Sequence, residues 1–426
     1  MTVAGLAART GLDAQDVTWG LQMLEAGGYV LRGSFTPGLA AGDAAEEWCD
    51  RRLLARIHRY TLDRLQRSIE AVSARDYMRF LLRWHHASPA SQLRGRAGLR
   101  HAIARLQGFE APASTWEPEL LAARVADYTP SWLDELCLAG EASWARLTPR
   151  RASGSNATIA ASRSTPITVA ARSDLGALLD ATRALGEGRH GEPHAGAAAE
   201  ILEALRARGA LFFDELVTAT RRLATDVEQG LRELVAAGLV ASDGFQGLRQ
   251  LCGLWRRSGR GRSRGLGYLR AGGGPPGRWA MVEAPSAHGE PPDAETLAES
   301  VAQMLLGRYG VVFRDVVARE SFSVPWREVL RALRGMELRG TVHGGRFVAG
   351  FLGEQYALPE AVEALRRIRQ EPHSQERVRL SAVDPLNLVG IVLPGPRVPA
   401  VPGHHVEYLD GALASADAFE AMEVRS

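Results

Sequence analysis

The sequence predicts a mostly α-helical protein with small β elements: tandem winged-helix units followed by a small C-terminal antiparallel β-barrel or sheet. Three features predict it. A leucine–glycine fingerprint recurs along the chain, loops rich in Pro, Gly and Ser separate the repeats, and after residue 376 short β-type runs alternate with Pro and Gly turns. At 426 residues the chain is too long for one ordinary core, so several compact units are required.

In the first unit, residues 1–36, a helix is expected over Val3 to Thr10, a turn at Gly11, a second helix opened by Asp13 or Asp16 and closed at Gly27-Gly28, and a strand from Tyr29 to Phe35. The second helix carries the fingerprint Leu21-x-x-Leu24-x-x-x-Gly28-x-Val30: two core leucines, a left-handed C-terminal glycine, and a β-branched residue entering a strand. Leu231, Leu234, Gly238 and Val240 repeat it at an offset of 210, which also pairs Asp16 with Asp226, Val17 with Val227 and Gly20 with Gly230. Leu133, Leu136, Gly140 and Ala142 form a third copy after Thr129-Pro130, and Leu330, Leu333, Gly340 and Val342 form a looser fourth. These copies place units at residues 47–150, 166–250 and 293–375.

Residues 36–46 read as a linker. From Glu47 the chain reads as one amphipathic helix, with Leu54, Ile57, Thr61, Leu65 and Ile69 on one side and Arg52, Arg56 and Arg59 on another. Ser73 caps a second helix with Asp76 as its partner; Tyr77, Phe80, Leu81 and Trp84 line one side, and His85, His86 and Pro89 end it. From Glu47 to Gln107 there are 13 arginines and five acids, a segment charge of +8 in a chain of net charge +2. An aromatic ring at the edge of such a basic surface is what a phosphate-tracking groove with a base-stacking platform requires. The same residues also fit a solvated arginine face and a core tryptophan.

Farther on, Arg150 to Thr165 is a polar connector before a short strand near Pro166 to Val169. Gly186 to Ala195 is a second break, where Gly191 and Pro193 exclude the helix that would make His190 and His194 a metal-binding pair. Residues 251–280 form a Gly/Arg-rich linker; Phe245 to Val282 holds eight arginines and no acid, a composition that fits either a spacer or a basic arm along a nucleic-acid backbone. A helix is expected from Ala294 to Tyr309, a strand over Val348 to Phe351 leading to Glu354-Gln355, and a helix from Glu360 to Gln370 with Pro359 at its first turn. In residues 376–426, strands are expected over Val389 to Leu393, Val398 to Val401 and Val406 to Leu409.

The composition, 46% hydrophobic and 23% charged, is that of a soluble globular protein, and no apolar run reaches membrane-spanning length, so no membrane partner and a cytoplasmic location are expected. Cys49, Cys137 and Cys252 lie far apart without CxxC spacing, which argues against a disulfide framework or a cysteine zinc site. All 51 basic residues are arginines. The missing lysine excludes a Walker phosphate loop, a lysine Schiff base and a Ser-x-x-Lys nucleophile, while arginine is the better side chain for gripping phosphate.

Six segments carry a family resemblance: WCDRRLLARIHRYTLDRLQ, VSARDYMRFLLRWHH, LQGFEAPASTWE, LVAAGLVASDGFQGLR, RFVAGFLGEQYALPEAVEALR and DPLNLVGIVLPGPRVPA. In this order they resemble the large helicase-related (Lhr) family of superfamily 2 DNA helicases, at the C-terminal half of the helicase core: the end of a winged helix plus the following winged-helix and β-barrel domain. The resemblance implies an accessory region of an ATP-dependent 3′-to-5′ DNA helicase with a role in repair, acting on single-stranded DNA or an RNA–DNA hybrid. It also implies that ATP and Mg²⁺ act through motor domains absent from this sequence, so a separately encoded motor chain is an expected partner and no cofactor is expected here. The family's base-stacking tryptophan corresponds to Trp84, although His85 and His86 depart from the family pattern.

The nucleic-acid-binding residues expected are therefore Trp84, for stacking, and Arg52, Arg56, Arg59, Arg83, Arg94, Arg96 and Arg100, for phosphates; no catalytic residue is assigned. One alternative is a DNA glycosylase-like base-excision module using Asp384, Asp410, Glu354 and Gln355, although Asp384-Pro385 and Asp410-Gly411 also read as turn pairs. Another is a winged-helix transcriptional regulator. The helix from Asp16 to Gly27 offers it Thr18, Gln22 and Glu25 but no arginine, so the winged helices are expected to pack on one another instead.

Overall fold

The computed structural model describes residues 1–33, 35, 46–57, 70–148, 160–183, 193, 195–254, 275–282, 292–320, 322 and 324–416. It divides into two compact units, Met1–Glu70 and Ala71–Ser426.

In the first unit, Thr2 caps α1 (Val3–Thr10) by accepting from the Gly5 amide at 3.2 Å, and the Asp13 carboxylate caps α2 (Ala14–Ala26) by accepting from Gln15 at 2.8 Å. Gly28 turns the chain at a φ of 73° into β1 (Val30–Gly33). Its partner is β2 (Glu47–Asp50), antiparallel, with Thr2 bridging to Glu47. Glu47 to Asp50, expected as helix, is thus a strand. The ladder places Trp48 in a small core with Val17 and Leu21, and the Asp50 carboxylate accepts from the Arg52 and Leu53 amides at 2.8 and 2.9 Å, which starts the helix one residue later. That helix, α3, is described over 51–57; the rest of the expected helix, with Arg59, lies outside the described residues.

The second unit begins with α4 (Ala74–Trp84) and contains three modules of one plan. In the first, α5 (Gly95–Leu106) and α6 (Pro130–Leu138) pack beside a sheet of Ala111–Pro112, β3 (Ala142–Ala145) and β4 (Pro166–Ala171), followed by α7 (Arg172–Arg183). In the second come α8 (Ala197–Arg208), β5 (Leu211–Phe212), α9 (Phe213–Thr220), α10 (Ala224–Ala236), β6 (Val240–Ser242), α11 (Phe245–Leu251) and β7 (Arg278–Met281). The third has α12 (Ala294–Tyr309), β8 (Val311–Val312), α13 (Arg314–Val317), α14 (Trp326–Leu338), β9 (His343–Gly345), β10 (Gln355–Ala357) and α15 (Pro359–Gln370). In each sheet the last strand lies between the other two, which is the winged-helix arrangement.

The recurring glycines Gly28, Gly140, Gly238 and Gly340 have φ of 73°, 74°, 71° and 77°, so each takes the left-handed turn that ends a helix before a strand. Arg278 to Met281, expected within the basic linker, is a strand that buries Trp279; residues 255–274 of that linker, and the pair His190 and His194, lie outside the described residues.

The tail forms an open antiparallel sheet of β11 (Arg377–Ser381), β12 (His405–Leu409) and β13 (Ala412–Ala416), with no closed barrel among the described residues. The strand expected at 389–393 is a turn closed by a bridge between Val389 and Leu393, and 398–401 is irregular chain. Pro394, Pro396 and Pro399 lack the amide that a ladder needs, and the buried Leu386, Leu388 and Val389 fill the core from turns instead.

Candidate nucleic-acid interface

Ser73 opens α4 by accepting from the Asp76 amide at 3.0 Å while its hydroxyl donates to the Asp76 carboxylate at 2.7 Å. Tyr77, Met78, Phe80, Leu81 and Leu82 bury the apolar side, and Trp84, last in the helix, remains partly exposed. His86 then adopts a left-handed φ of 58°, which breaks the helix.

The position of Trp84 is fixed by another helix. An α-helix leaves its last carbonyls without internal partners. At the end of α12 the Gly307 carbonyl accepts from Trp84 Nε1–H at 2.9 Å and from Arg105 Nη1–H at 2.5 Å, and the Arg308 carbonyl accepts from His85 Nε2–H at 2.8 Å. The Tyr77 hydroxyl adds contacts of 3.1 and 3.0 Å to the carbonyls of Tyr309 and Val311. Arg105 also brings positive charge to the negative end of the α12 dipole. Because a carbonyl only accepts, the His85 proton sits on Nε2; Nδ1 is buried and has no hydrogen-bond partner among the described residues. Burial, then Arg124 and Arg105, hold the pKa of this ring well below the ordinary histidine value.

The Arg105 guanidinium carbon lies 4.0 Å from the Trp84 ring centroid, and the Phe80 ring centroid is 5.2 Å away. Together they form one side of a cleft of about 380 Å³ between α4, the end of α5 and α15. Arg83, His86 and His101 share that side; Glu360, Arg367 and Glu371 face them. His86 and His101 meet edge to face at 5.1 Å, and burial foremost lowers the pKa of both. His86 Nδ1–H donates to the Ser91 carbonyl at 2.9 Å, leaving Nε2 as an acceptor. The cleft therefore combines a cation stacked on an indole, further guanidinium groups, two carboxylates, and two imidazoles whose burial disfavours protonation.

Of the expected residues, Arg83 and Trp84 meet in this cleft, with Arg83 ion-paired to Glu371. Arg96 and Arg100 lie toward the other end of α5, each 3.4 Å from a carboxylate, Glu135 and Glu141 respectively. Arg94 is exposed just before α5, while Arg52 and Arg56 are exposed on α3 of the other unit. Sequence reasoning missed Arg105, His101, Glu360, Arg367 and Glu371. Helical spacing puts Arg105 one turn after His101, and Glu360 and Arg367 on one face of α15 with Glu371 just past its end, but nothing local shows that those faces meet.

The four residues of the base-excision alternative have structural partners. Asp384 accepts two bonds from Arg124, at 2.7 and 2.9 Å, with both side chains fully buried. Asp410 accepts from the amides of Ser374, Gln375 and Glu376, and Glu354 pairs with Arg334 and the Tyr356 hydroxyl. Gln355 bonds to the backbone of Phe347 and Val348.

Repeated helix–turn–helix–wing modules define the class: a tandem winged-helix protein. Within that class the chain resembles the large helicase-related family. Residues 72–162 and 291–377 each match a family model described as large helicase-related protein, winged-helix domain. The chain is similar to the "Lhr helicase/ probable uracil glycosylase" of Mycolicibacterium smegmatis, at 30% identity over 415 residues, covering 93% of this chain and 26% of that protein. It is also similar to the "Lhr helicase/uracil glycosylase" of Escherichia coli, at 26% identity over 404 residues, covering 85% of this chain and 25% of that protein. The chain spans about a quarter of the length of these relatives. No described helix is long and apolar enough to cross a membrane.

Proposed function

We propose that this region is the accessory grip of an ATP-dependent 3′-to-5′ helicase on single-stranded DNA, serving in repair. The observation that carries the reading is the Arg105–Trp84 stack at the side of a cationic cleft. Bases stack on aromatic rings and on guanidinium planes alike, and every base has a face to offer, so such a pair suits a strand of any sequence. An unpaired base occupies the cleft beside this pair, while Arg83 exchanges the Glu371 carboxylate for phosphate and Arg367 lies on the facing side. Arg94, Arg96 and Arg100 hold neighbouring phosphates; the exposed pairs of the last two with Glu135 and Glu141 are each worth at most about 1 kcal/mol, so the exchange costs little. Arg52 and Arg56 of the first unit, and Arg59 outside the described residues, are assigned as further phosphate contacts. With no lysine for a phosphate loop in this sequence, ATP and Mg²⁺ are assigned to motor domains that act as partner. An RNA–DNA hybrid is the second substrate of this reading.

The test is the affinity of the chain for fluorescein-labelled oligo(dT) by anisotropy at fixed salt. Trp84→Ala is expected to weaken it roughly tenfold or more, since a base–aromatic stack contributes about 1–3 kcal/mol. An unchanged affinity in a folded variant rejects Trp84 as the platform. Base excision is the second reading, favoured by the names both relatives carry. Incubation with uracil-containing strands tests it, and the absence of abasic sites counts against it.

A further inference from the structure

Four helices occupy the place before the wing, and their free faces differ. α2 exposes Asp16, Trp19 and Met23, and α6 exposes Ser131, Glu135 and Leu138. α10 buries Val227, Gly230, Leu231, Leu234, Val235 and Ala236, so it has packed away much of its surface. α14 packs on α12 and buries Val329, Ala332, Leu333 and Met336, yet it keeps a long free face. Arg327, Arg331, Arg334 and Leu338 recur at i, i+4, i+7 and i+11 on α14, forming one stripe. Their side chains are exposed by 81%, 73% and 57% for the arginines, and Leu338 by 87%.

Among the described residues each arginine of this stripe is paired, and the counter-charges are Glu328 and Glu354. Glu328 is shared by Arg327 at 3.2 Å and Arg331 at 2.5 Å, and Glu354 takes Arg334. Arg339, paired to Glu299, and the exposed Arg346 add positive charge nearby. Between β9 and β10 the wing carries Gly350 and Gly353 at φ of 90° and 92°, each with open space where a side chain would stand. Phe351 anchors the wing on Phe313, ring centroids 4.5 Å apart, while Leu352 beside it is 84% exposed. An anchored loop that holds one large apolar side chain out in water has the form of a wedge for a groove.

We propose that this third module of the second unit is a docking face for duplex DNA. The α14 stripe lies against the phosphates flanking the major groove, and the wing presses Leu352 into the adjacent minor groove. Duplex DNA is the fitting partner because its major groove, about 12 Å wide, admits an α-helix, whereas that of A-form RNA is too narrow for side chains to read. The three arginines, each already holding a carboxylate, exchange one anion for another on phosphates, contacts that carry no sequence information. This face is independent of the Trp84 cleft. The two are linked within one unit: Val72, just before α4, bonds to Phe347 and Ala349 of the wing at 2.8 and 2.9 Å. From there α4 runs about 16 Å, by its 1.5 Å rise per residue, to Trp84.

The experiment measures binding of the chain to a blunt 20-base-pair DNA of mixed sequence across a salt series. The triple variant Arg327→Ala, Arg331→Ala, Arg334→Ala is expected to weaken duplex binding by about tenfold or more. Its log–log salt slope is expected to fall by roughly 0.9 for each phosphate that an arginine no longer neutralises. Leu352→Ser is expected to weaken binding without changing the slope. All four positions are exposed, so melting temperatures stay at the wild-type value, and oligo(dT) binding is expected to be unchanged. Wild-type duplex affinity and slope in the triple variant would overturn the proposal, as would an equal loss of oligo(dT) or equal binding of an RNA duplex. Trp84→Ala leaves duplex binding intact, so the two readings fail separately.

Discussion

At the scale of single residues, Trp84 has two roles that substitutions can separate. Its indole N–H ends on the Gly307 carbonyl at 2.9 Å while its ring carries Arg105. Trp84→Phe keeps a ring but removes the donor, so it is expected to lower stability by about 0.5–1.5 kcal/mol and to retain most oligo(dT) binding. Urea titration beside anisotropy checks both. Asp384 is a purely structural case: Asp384→Ala strands the fully buried Arg124 guanidinium, and a loss of about 3–5 kcal/mol in urea unfolding is expected. Wild-type stability would show that the pair contributes nothing. His85 sets a pH dependence. Its folded pKa lies well below the ordinary 6.5, so as pH falls through about 6.5 the unfolded chain takes up a proton that the folded chain refuses. Stability is therefore full above that pH and declines toward the depressed folded value. His86 and His101 shift the same way. In His85→Gln, whose amide can still donate to the Arg308 carbonyl, the fall in melting temperature between pH 7 and pH 5 is expected to shrink; an undiminished fall would assign it to other groups.

At the scale of elements, the C-terminus of α12 organises the cleft, because side chains of α4 and α5, with His85, satisfy its last carbonyls. Gly310 makes the close approach possible: at a φ of 66°, a Cβ there would stand 2.5 Å from the Phe80 ring and 3.1 Å from Ala361. Gly310→Ala is accordingly expected to cost more than about 1 kcal/mol through strain and overlap, and to weaken oligo(dT) binding while sparing duplex binding. Equal melting curves and affinities would mean the helices yield without moving Trp84. The parts of these elements legible in the sequence are the local ones. The left-handed glycines at positions 28, 140, 238 and 340, the Ser73 cap and the end of α4 at Trp84 all follow from residues within a turn or two of each other. Glu47 to Asp50 reads as helix in isolation because its strand identity comes from pairing with the distant Val30 to Gly33. The runs at 389–393 and 398–401 read as strands because apolar residues outside strands fill a core as well as those in strands, whereas Val406 to Leu409 is the strand expected.

At the scale of the molecule, the modules of the second unit are tied together rather than strung. One apolar core runs from Leu99 through Trp144 to Trp279, and Arg249 of the second module reaches Glu117 and Asp134 of the first at 2.6 and 2.7 Å. Arg124 with Asp384 fastens the tail to the same body. The family resemblance and the repeated architecture are legible from sequence. The wall of the cleft that faces Trp84 is not, because α15 lies far along the chain from α4 and only the folded state brings Glu371 to Arg83. The most direct test of the central claim is oligo(dT) affinity of wild type and Trp84→Ala at one salt concentration, with the DNA duplex as internal control. A loss of roughly tenfold or more for the single strand, with duplex affinity intact, is the predicted result; equal single-strand affinities in the two folded proteins would contradict it.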